Sequence, residues 1–314
     1  MPAVRDRMRQ VRNRWIDQTL LHLEQARRQL EQGEGDILLL GDSSCLYWAH
    51  ADTDRTLIPE LLAERTGASI VTVAGGGYDA RMHDALLRVL GMADNRPRAV
   101  LACLAIRPNT ATHVREHPLH GHGRTRAALA RISPPLRRVR AFANGGSAAP
   151  KREVAEFRAR TVTTRWGGTA TLGERLAKVE GLGPPPWPTE VEQMRFDYFH
   201  GQPVHDDNPG LADLTAFGRR LDEYGVPAVV CWSQVPVAHG ERLFPGEFET
   251  AIEHDLGLVE QALCQGSTRL DGLLKPVLED ADFQDHRNGI EHYSYSGRVK
   301  VADEMAKALA ALGV

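Results

Sequence analysis

The sequence lacks long apolar runs, and this absence excludes a membrane protein of the helical kind. Its apolar stretches are short, such as Ile37–Leu40, whereas a helix that crosses a bilayer needs roughly 20 apolar residues. The first residues, Met1–Arg7, also lack the apolar segment of a secretory signal. We therefore expect neither a membrane span nor an export signal in this chain.

Cysteine is scarce as well, with four residues that lie far apart and form no C-x-x-C pair: Cys45, Cys103, Cys231 and Cys264. Three of them lie in apolar runs, which is typical of buried, reduced thiols rather than of a disulfide framework or a zinc site. The pattern predicts a reducing compartment, and we expect a cytoplasmic location.

A strong excess of positive charge is also missing, because the net charge is −3. General nucleic-acid binding is therefore not expected. The charge is uneven, however: residues 124–165 hold eleven Lys and Arg against two Glu, a local charge of +9. Such a segment is either a solvated basic surface or a docking surface for a phosphate-bearing partner.

The order of the apolar segments predicts an α/β fold. Short, fully apolar strands are predicted at about 36–40, 69–73, 98–106 and 226–232, with a weaker one at 269–271. Helical periodicity is found at about 3–32, 57–63, 80–92, 248–263 and 298–312. Strands that alternate with helices indicate right-handed crossovers and a parallel sheet that is buried on both faces. We predict a three-layer α/β/α sandwich with a mainly parallel five-stranded sheet.

One long stretch interrupts this alternation. Residues 111–210 are rich in proline, glycine and arginine and show only short helical patterns. Long segments of this kind in a compact fold are usually lids or binding loops. We interpret the chain as an N-terminal helix over residues 1–34, packed on a single domain over 35–314, with an insertion at about 111–210.

Polar clusters follow the first three predicted strands, where ligands of open parallel sheets bind. They are Gly41–Ser43, Gly75–Gly77 and Arg107–Asn109. A serine at the first turn of a helix is close to backbone N–H groups that stabilise an oxyanion when its hydroxyl attacks a carbonyl. Each cluster by itself is a weak signal, because small residues often follow buried strands.

The segment Asp285–Gly297, which precedes the last helix, adds a histidine to this ordered set, and the whole set resembles the SGNH, or GDSL-like, hydrolase superfamily. That family has Gly-Asp-Ser after its first strand, an oxyanion glycine after the second and an asparagine after the third. Ser43 matches the nucleophile, Gly77 the oxyanion glycine and His292 the histidine, which is followed by Ser294 and Gly297 at the family's spacing. The resemblance implies a flavodoxin-like fold and an acyl hydrolase.

Two positions depart from the family pattern. The family's aspartate lies three residues before the histidine, where this chain has Gly289. Asp285 is the nearest upstream aspartate and is the predicted triad acid, with Asp282 and Glu291 as alternatives. The third block is irregular too, so either Asn109 or Arg107 is expected to line the oxyanion hole.

The resemblance implies nucleophilic acyl transfer without a metal or cofactor. His292 takes the Ser43 proton, the serine forms an acyl-enzyme, Asp285 orients the imidazole, and Ser43, Gly77 and Asn109 hold the oxyanion. The expected substrate is a small-molecule ester or thioester. Two alternatives stay open: an acyltransferase that uses acyl-CoA or an acyl carrier protein, and a binding module that has lost its activity. The oligomeric state is not predicted.

Further residues are candidates for the pocket or for metal binding. The pocket candidates are Asp42, Tyr78, Arg107, Trp232 and Gln234, although core packing explains Trp232 equally well. Two clusters are rich in histidine: His113, His117, His120 and His122, and then His200, His205, Asp206 and Asp207. Proline and glycine interrupt the first cluster, and we favour a loop over a metal site for it.

Overall fold

The computed structural model describes residues 22–48, 52–110, 116, 123–130, 151–183 and 185–314. Its strands are β1 (Ile37–Gly41), β2 (Ile70–Ala74), β3 (Ala99–Ala105), β4 (Thr161–Thr164), β5 (Gly168–Thr171), β6 (Ala228–Ser233) and β7 (Leu270–Leu274). Five of them form one parallel sheet in the order β2-β1-β3-β6-β7, and β4 and β5 form a separate antiparallel hairpin. The predicted five-stranded parallel sheet is therefore confirmed.

Helices precede and connect these strands. They are α1 (22–31), α2 (Ile58–Thr66), α3 (Ala80–Leu90), α4 (Arg107–Thr110), α5 (Gly123–Ala130), α6 (Lys151–Arg158), α7 (Leu172–Val179), α8 (Thr189–His200), α9 (Pro209–Tyr224), α10 (Val237–Leu243), α11 (Phe248–Gly266) and α12 (Tyr295–Ala311). A search of the described helices finds none with both the length and the apolar character needed to cross a bilayer.

Successive side chains of a strand point to opposite sides of the sheet, and in β1 the side chains on both sides are buried. Leu38 and Leu40 of β1 face one core, which α1, α3, α9 and α11 cover. Ile37 and Leu39 face a second core, which α2 and α12 cover. The molecule therefore has the three layers that the apolar runs of its strands predict.

The described part of the N-terminal helix packs on the first of these cores. Leu23, Ala26 and Leu30 of α1 are buried there, at the spacing of one helix face. The chain leaves the helix through Gly33, whose φ of +71° favours glycine. The predicted start of this helix, residues 3–21, lies outside the described residues.

The insertion is attached to the domain through α8. Phe196 of α8 lies in the main core, while Tyr198 joins a small cluster with Phe157 and Leu172 of the insertion itself. The buried carboxylate of Asp197 accepts hydrogen bonds from the neighbouring hairpin and from α7: Thr164 Oγ1 (2.8 Å), Gly167 N (3.0 Å) and Arg175 Nη1 (2.5 Å). Helix α8 is longer than the short helical patterns expected for this segment.

Candidate active site

Ser43 lies in the tight turn that follows β1. The turn is the 3-10 helix Ser43–Cys45, which Asp42 caps by accepting hydrogen bonds from Ser44 N (2.8 Å) and Ser44 Oγ (2.6 Å). The other carboxylate oxygen of Asp42 accepts from Ser233 Oγ at the end of β6 (3.0 Å). Burial raises the pKa of Asp42, and these hydrogen bonds act in the opposite direction. Asp42 therefore holds the turn rather than lining a pocket, and Ser43 is left partly exposed at its start.

His292 lies at the base of a loop that brings it to Ser43. Phe283 and Tyr293 form an antiparallel bridge, and Gln284 N donates to the His292 carbonyl at 2.8 Å. This closes the loop of residues 284–292, which we call the histidine loop. His292 Nε2 is 3.2 Å from Ser43 Oγ, so the structure brings together the two residues that are 249 positions apart in sequence.

The imidazole of His292 is held by stacking and is kept neutral by its surroundings. Tyr47 stacks on it, with ring centroids 4.7 Å apart and planes 30° from parallel. Burial, and then the positive charge of Arg107, lower the pKa of His292 to about 4. The ring is therefore unprotonated at neutral pH, and its Nε2 lone pair is available to accept the Ser43 proton.

The predicted triad acid does not contact this imidazole. Asp285 instead caps the 3-10 helix His286–Asn288 by accepting a hydrogen bond from Arg287 N at 3.1 Å. Because the carboxylate of Asp285 caps the turn that follows it, it does not orient His292 as the sequence predicts. Within the described residues, no carboxylate is hydrogen-bonded to the His292 ring.

The two alternative acids have other partners. Glu291 is buried and forms two contacts with Arg107, Nε to Oε1 at 3.0 Å and Nη2 to Oε2 at 2.5 Å. Burial raises the pKa of Glu291, and Arg107 opposes that shift. Asp282 pairs with Lys300 (2.6 Å) and accepts from Ser296 Oγ (2.8 Å) beside the start of α12. Among the described residues, the candidate site therefore pairs Ser43 with His292 and has no acid on the imidazole, and we call this pair the dyad.

Of the predicted oxyanion groups, Gly77 lies in the loop after β2 and Asn109 in α4, which follows β3. Gly75 N donates to the Gly41 carbonyl at 3.2 Å, so the loop after β2 begins beside the end of β1, and Gly77 has a φ of +74° that favours glycine. Asn109 is buried in α4, and its side-chain amide donates to the Ala105 carbonyl at 3.3 Å. No hydrogen bond among the described residues joins Asn109 to Ser43.

Arg107 is the charged side chain that affects the pKa of His292. Besides its pair with Glu291, its guanidinium lies 4.9 Å from the ring centroid of Phe199 on α8. Burial lowers the pKa of both His292 and His200, and the charge of Arg107 adds to this effect. Arg107 is thus held in place by an acid and an aromatic ring, and its positive charge disfavours protonation of the imidazole.

The remaining pocket candidates divide between the core and the site. Trp232 is completely buried in the main core, and Tyr78 is buried against Gly75, so neither lines an open pocket. Gln234 is partly buried at the end of β6 and donates from its side chain to the Trp232 carbonyl (2.8 Å). The sequence analysis missed Tyr47; an aromatic residue four positions after the serine is a weak signal for a ring that packs on the histidine.

The comparisons with family models and with curated proteins found no match for this chain. The candidate site therefore rests on the sequence motifs and on the geometry of the described residues.

The histidine and arginine clusters have several structural roles. His200 is buried and donates from Nε2 to the Gly289 carbonyl (2.6 Å), which ties α8 to the histidine loop. His113, His117, His120 and His122 lie outside the described residues. Four arginines of the basic segment are each paired with an acid: Arg152 with Glu156, Arg158 with Glu180, Arg160 with Glu116 and Arg165 with Asp255.

A cavity of about 630 Å³ lies between the hairpin and α8. It is lined by residues of the hairpin, α7, α8 and α10–α11, among them Trp166, Lys178, Gln193 and Phe244, and neither Ser43 nor His292 belongs to it. Its two arginines, Arg165 and Arg175, are already paired with Asp255 and Asp197. The described residues that line the cavity include no serine or cysteine beside a histidine, unlike the Ser43–His292 pair.

Proposed function

We propose that this protein is a serine-dependent acyl hydrolase of the SGNH type, an esterase that acts on a small-molecule ester or thioester. The observation that carries this proposal is the 3.2 Å contact between Ser43 Oγ and His292 Nε2. The contact lies beyond the carboxyl ends of parallel strands, where ligands of such sheets bind. The strand order supports the proposal, because flavodoxin-like sheets have the same order.

In the proposed reaction, His292 Nε2 takes the proton of the Ser43 hydroxyl as its oxygen attacks the substrate carbonyl. Collapse of the tetrahedral intermediate transfers that proton to the leaving alcohol or thiol and leaves an acyl-serine. Water, deprotonated by the same imidazole, then releases the acid and restores the serine. Backbone N–H groups of Ser43 and Gly77 are the proposed oxyanion donors, with Asn109 as the third.

The proposed enzyme uses a dyad in which packing replaces the orienting acid of a triad. Tyr47 covers one face of the imidazole and restricts its rotation. No carboxylate raises the pKa of His292 among the described residues. Its pKa of about 4 keeps the ring neutral and makes it a weaker base. This arrangement supports slower acylation than a triad with an aspartate on Nδ1.

A fluorophosphonate probe tests the proposal, because it reacts only with an activated serine. The untagged chain is labelled at pH 7.5 and analysed by intact mass and peptide mapping, together with Ser43→Ala and His292→Ala. We expect one adduct on Ser43, no adduct in Ser43→Ala, and labelling slowed about 10²- to 10⁴-fold in His292→Ala. His254→Ala is the matched control, because that imidazole is exposed on α11 and belongs neither to the turn of Ser43 nor to the histidine loop.

A second candidate function is a binding module that no longer turns over its ligand. It is favoured by one observation: among the described residues, His292 has no carboxylate partner. An absence of labelling on folded wild-type chain would overturn the hydrolase and support this candidate. An acyltransferase that uses acyl-CoA or a carrier protein shares the Ser43 adduct, and transfer of the acyl group to an added thiol or amine distinguishes it.

The cytoplasm is the proposed location of the enzyme. All four cysteines are free, and Cys45, Cys103 and Cys231 are buried among apolar side chains. Free thiols of this kind are typical of a reducing compartment.

A further inference from the structure

Three potential metal ligands converge where α10 meets the histidine loop. His239 of α10, Asp280 and His286 each have one nitrogen or oxygen atom within 4.8 Å of the others. His239 is buried, and its ring contacts that of His286 edge-on with centroids 4.8 Å apart. Two imidazoles and one carboxylate are a donor set that Zn²⁺ and neighbouring transition metals prefer.

The hydrogen bonds of His239 orient it as a ligand. The guanidinium of Arg242 can only donate, so its contact with His239 Nδ1 (3.0 Å) places the lone pair of the neutral ring on Nδ1. The proton is then on Nε2, where the buried carboxylate of Glu192 accepts it at 2.9 Å. A carboxylate behind a metal-binding histidine is the usual second partner of such a ligand.

The other two ligands have unused capacity. Asp280 Oδ1 is buried and has no hydrogen-bond partner among the described residues. The ring of His286 likewise makes no hydrogen bond within the described part of the chain. A buried polar atom without a partner, such as Asp280 Oδ1, is uncommon because it costs free energy when it leaves water.

Arg242 marks the place where a cation fits. Its guanidinium donates both to His239 Nδ1 and to Asp280 Oδ2, so it lies between two of the three potential ligands. The side chain is more than half exposed, so it can turn into solvent without leaving a buried cavity. The positive charge of Arg242 thus occupies the position between these two ligands.

We propose that His239, Asp280 and His286 form a binding site for one divalent transition-metal ion, Zn²⁺ in particular, that replaces the Arg242 guanidinium. Water completes the coordination, and the ligand atoms move closer to reach distances of about 2.0–2.2 Å from the ion. Because His286 belongs to the histidine loop, the ion fastens that loop to α10. The site is separate from the proposed Ser43 chemistry and does not depend on it.

Zinc binding to the untagged chain, stripped with chelator, tests the proposal by titration calorimetry at pH 7.5. We expect one Zn²⁺ per chain, a raised melting temperature, and visible absorption bands when Co²⁺ is used instead. His286→Ala and Asp280→Asn each weaken binding by more than about 100-fold. Arg242→Ala tightens it by about tenfold, because the competing charge is gone.

Two controls separate this site from other histidines. His254→Ala leaves binding unchanged, since that exposed imidazole is not part of the cluster. His117→Ala/His120→Ala tests the histidine-rich segment and is also expected to leave the affinity unchanged. The proposal is overturned if the natural chain does not bind Zn²⁺ stoichiometrically. It is also overturned if binding survives His286→Ala and Asp280→Asn, or is lost in the His117/His120 variant.

Discussion

At the scale of single residues, the environment of His292 determines what the site can do. Its imidazole faces Ser43 on one side and carries the stacked ring of Tyr47 on its surface. The positive charge of Arg107 disfavours the protonated ring, and the bidentate contact with Glu291 keeps that charge in place. The base is consequently weak, but it remains in its active form well below neutral pH.

The pH dependence of Ser43 labelling follows from this environment. The wild-type rate is expected to be flat from pH 8 to about 5 and to fall only near the pKa of His292, about 4, where the base becomes protonated. Arg107→Gln/Glu291→Gln removes the nearby positive charge without leaving an unpaired buried acid. The pKa of His292 then rises, and the decline of the labelling rate moves to higher pH.

The same double substitution on an exposed ion pair, Arg152→Gln/Glu156→Gln, is the matched control and should leave the profile unchanged. Circular dichroism at each pH confirms that the chain is folded. A profile that does not move in the Arg107/Glu291 variant would contradict the electrostatic role of Arg107.

At the scale of helices, the crossing of α9 and α11 depends on two glycines. A Cβ at Gly218 would lie 2.5 Å from the Leu263 carbonyl oxygen, and a Cβ at Gly266 would overlap the Thr215 carbonyl oxygen. Thr215 Oγ1 also donates to the Ala262 carbonyl across this contact, at 2.9 Å. The two backbones are therefore too close for any side chain at these positions.

Gly266→Ala is expected to lower the free energy of unfolding by about 1–3 kcal/mol, because the helices must separate to admit a methyl group. Gly257→Ala on the same helix is the control: its position is exposed, with nothing within 4 Å of a Cβ. It should raise that free energy by about 1 kcal/mol through helix propensity. Urea denaturation measures both, and a Gly266→Ala chain as stable as wild type would contradict the close packing.

At the scale of the whole molecule, buried histidines such as His83 and His200 link folding to pH. His83 is fully buried between Tyr78 and Phe217, and burial lowers its pKa to about 4. Burial, with Arg107, lowers the pKa of His200 to about 3. Because the unfolded chain binds these protons near pH 6.5, it is favoured as pH falls. The stability that these two neutral rings contribute is fully present above pH 6.5 and is lost as the pH falls toward their lowered pKa values.

His83→Leu should remove one proton from this linkage. Between pH 6.5 and 4, the slope of unfolding free energy against pH is expected to become shallower by about 1.4 kcal/mol per pH unit. Stability at pH 7 is retained, because neither ring nitrogen of His83 has a hydrogen-bond partner among the described residues. Urea titrations at several pH values measure the slope, with the exposed His254→Leu as control. An unchanged slope for His83→Leu would contradict the buried neutral state.

The sequence by itself determined the central strands of the sheet, β1, β3 and β6, and their parallel direction, because strands buried on both faces are apolar along their length. It also singled out Ser43 and His292, since both lie in short motifs at ends of predicted elements. The three-dimensional structure alone decided that Asp285 caps a local turn, that Glu291 pairs with Arg107, and that Tyr47 covers the imidazole. The physical reason is that a strand's burial is recorded in its own residues. The partner of a charged or aromatic side chain instead depends on how distant loops close around it.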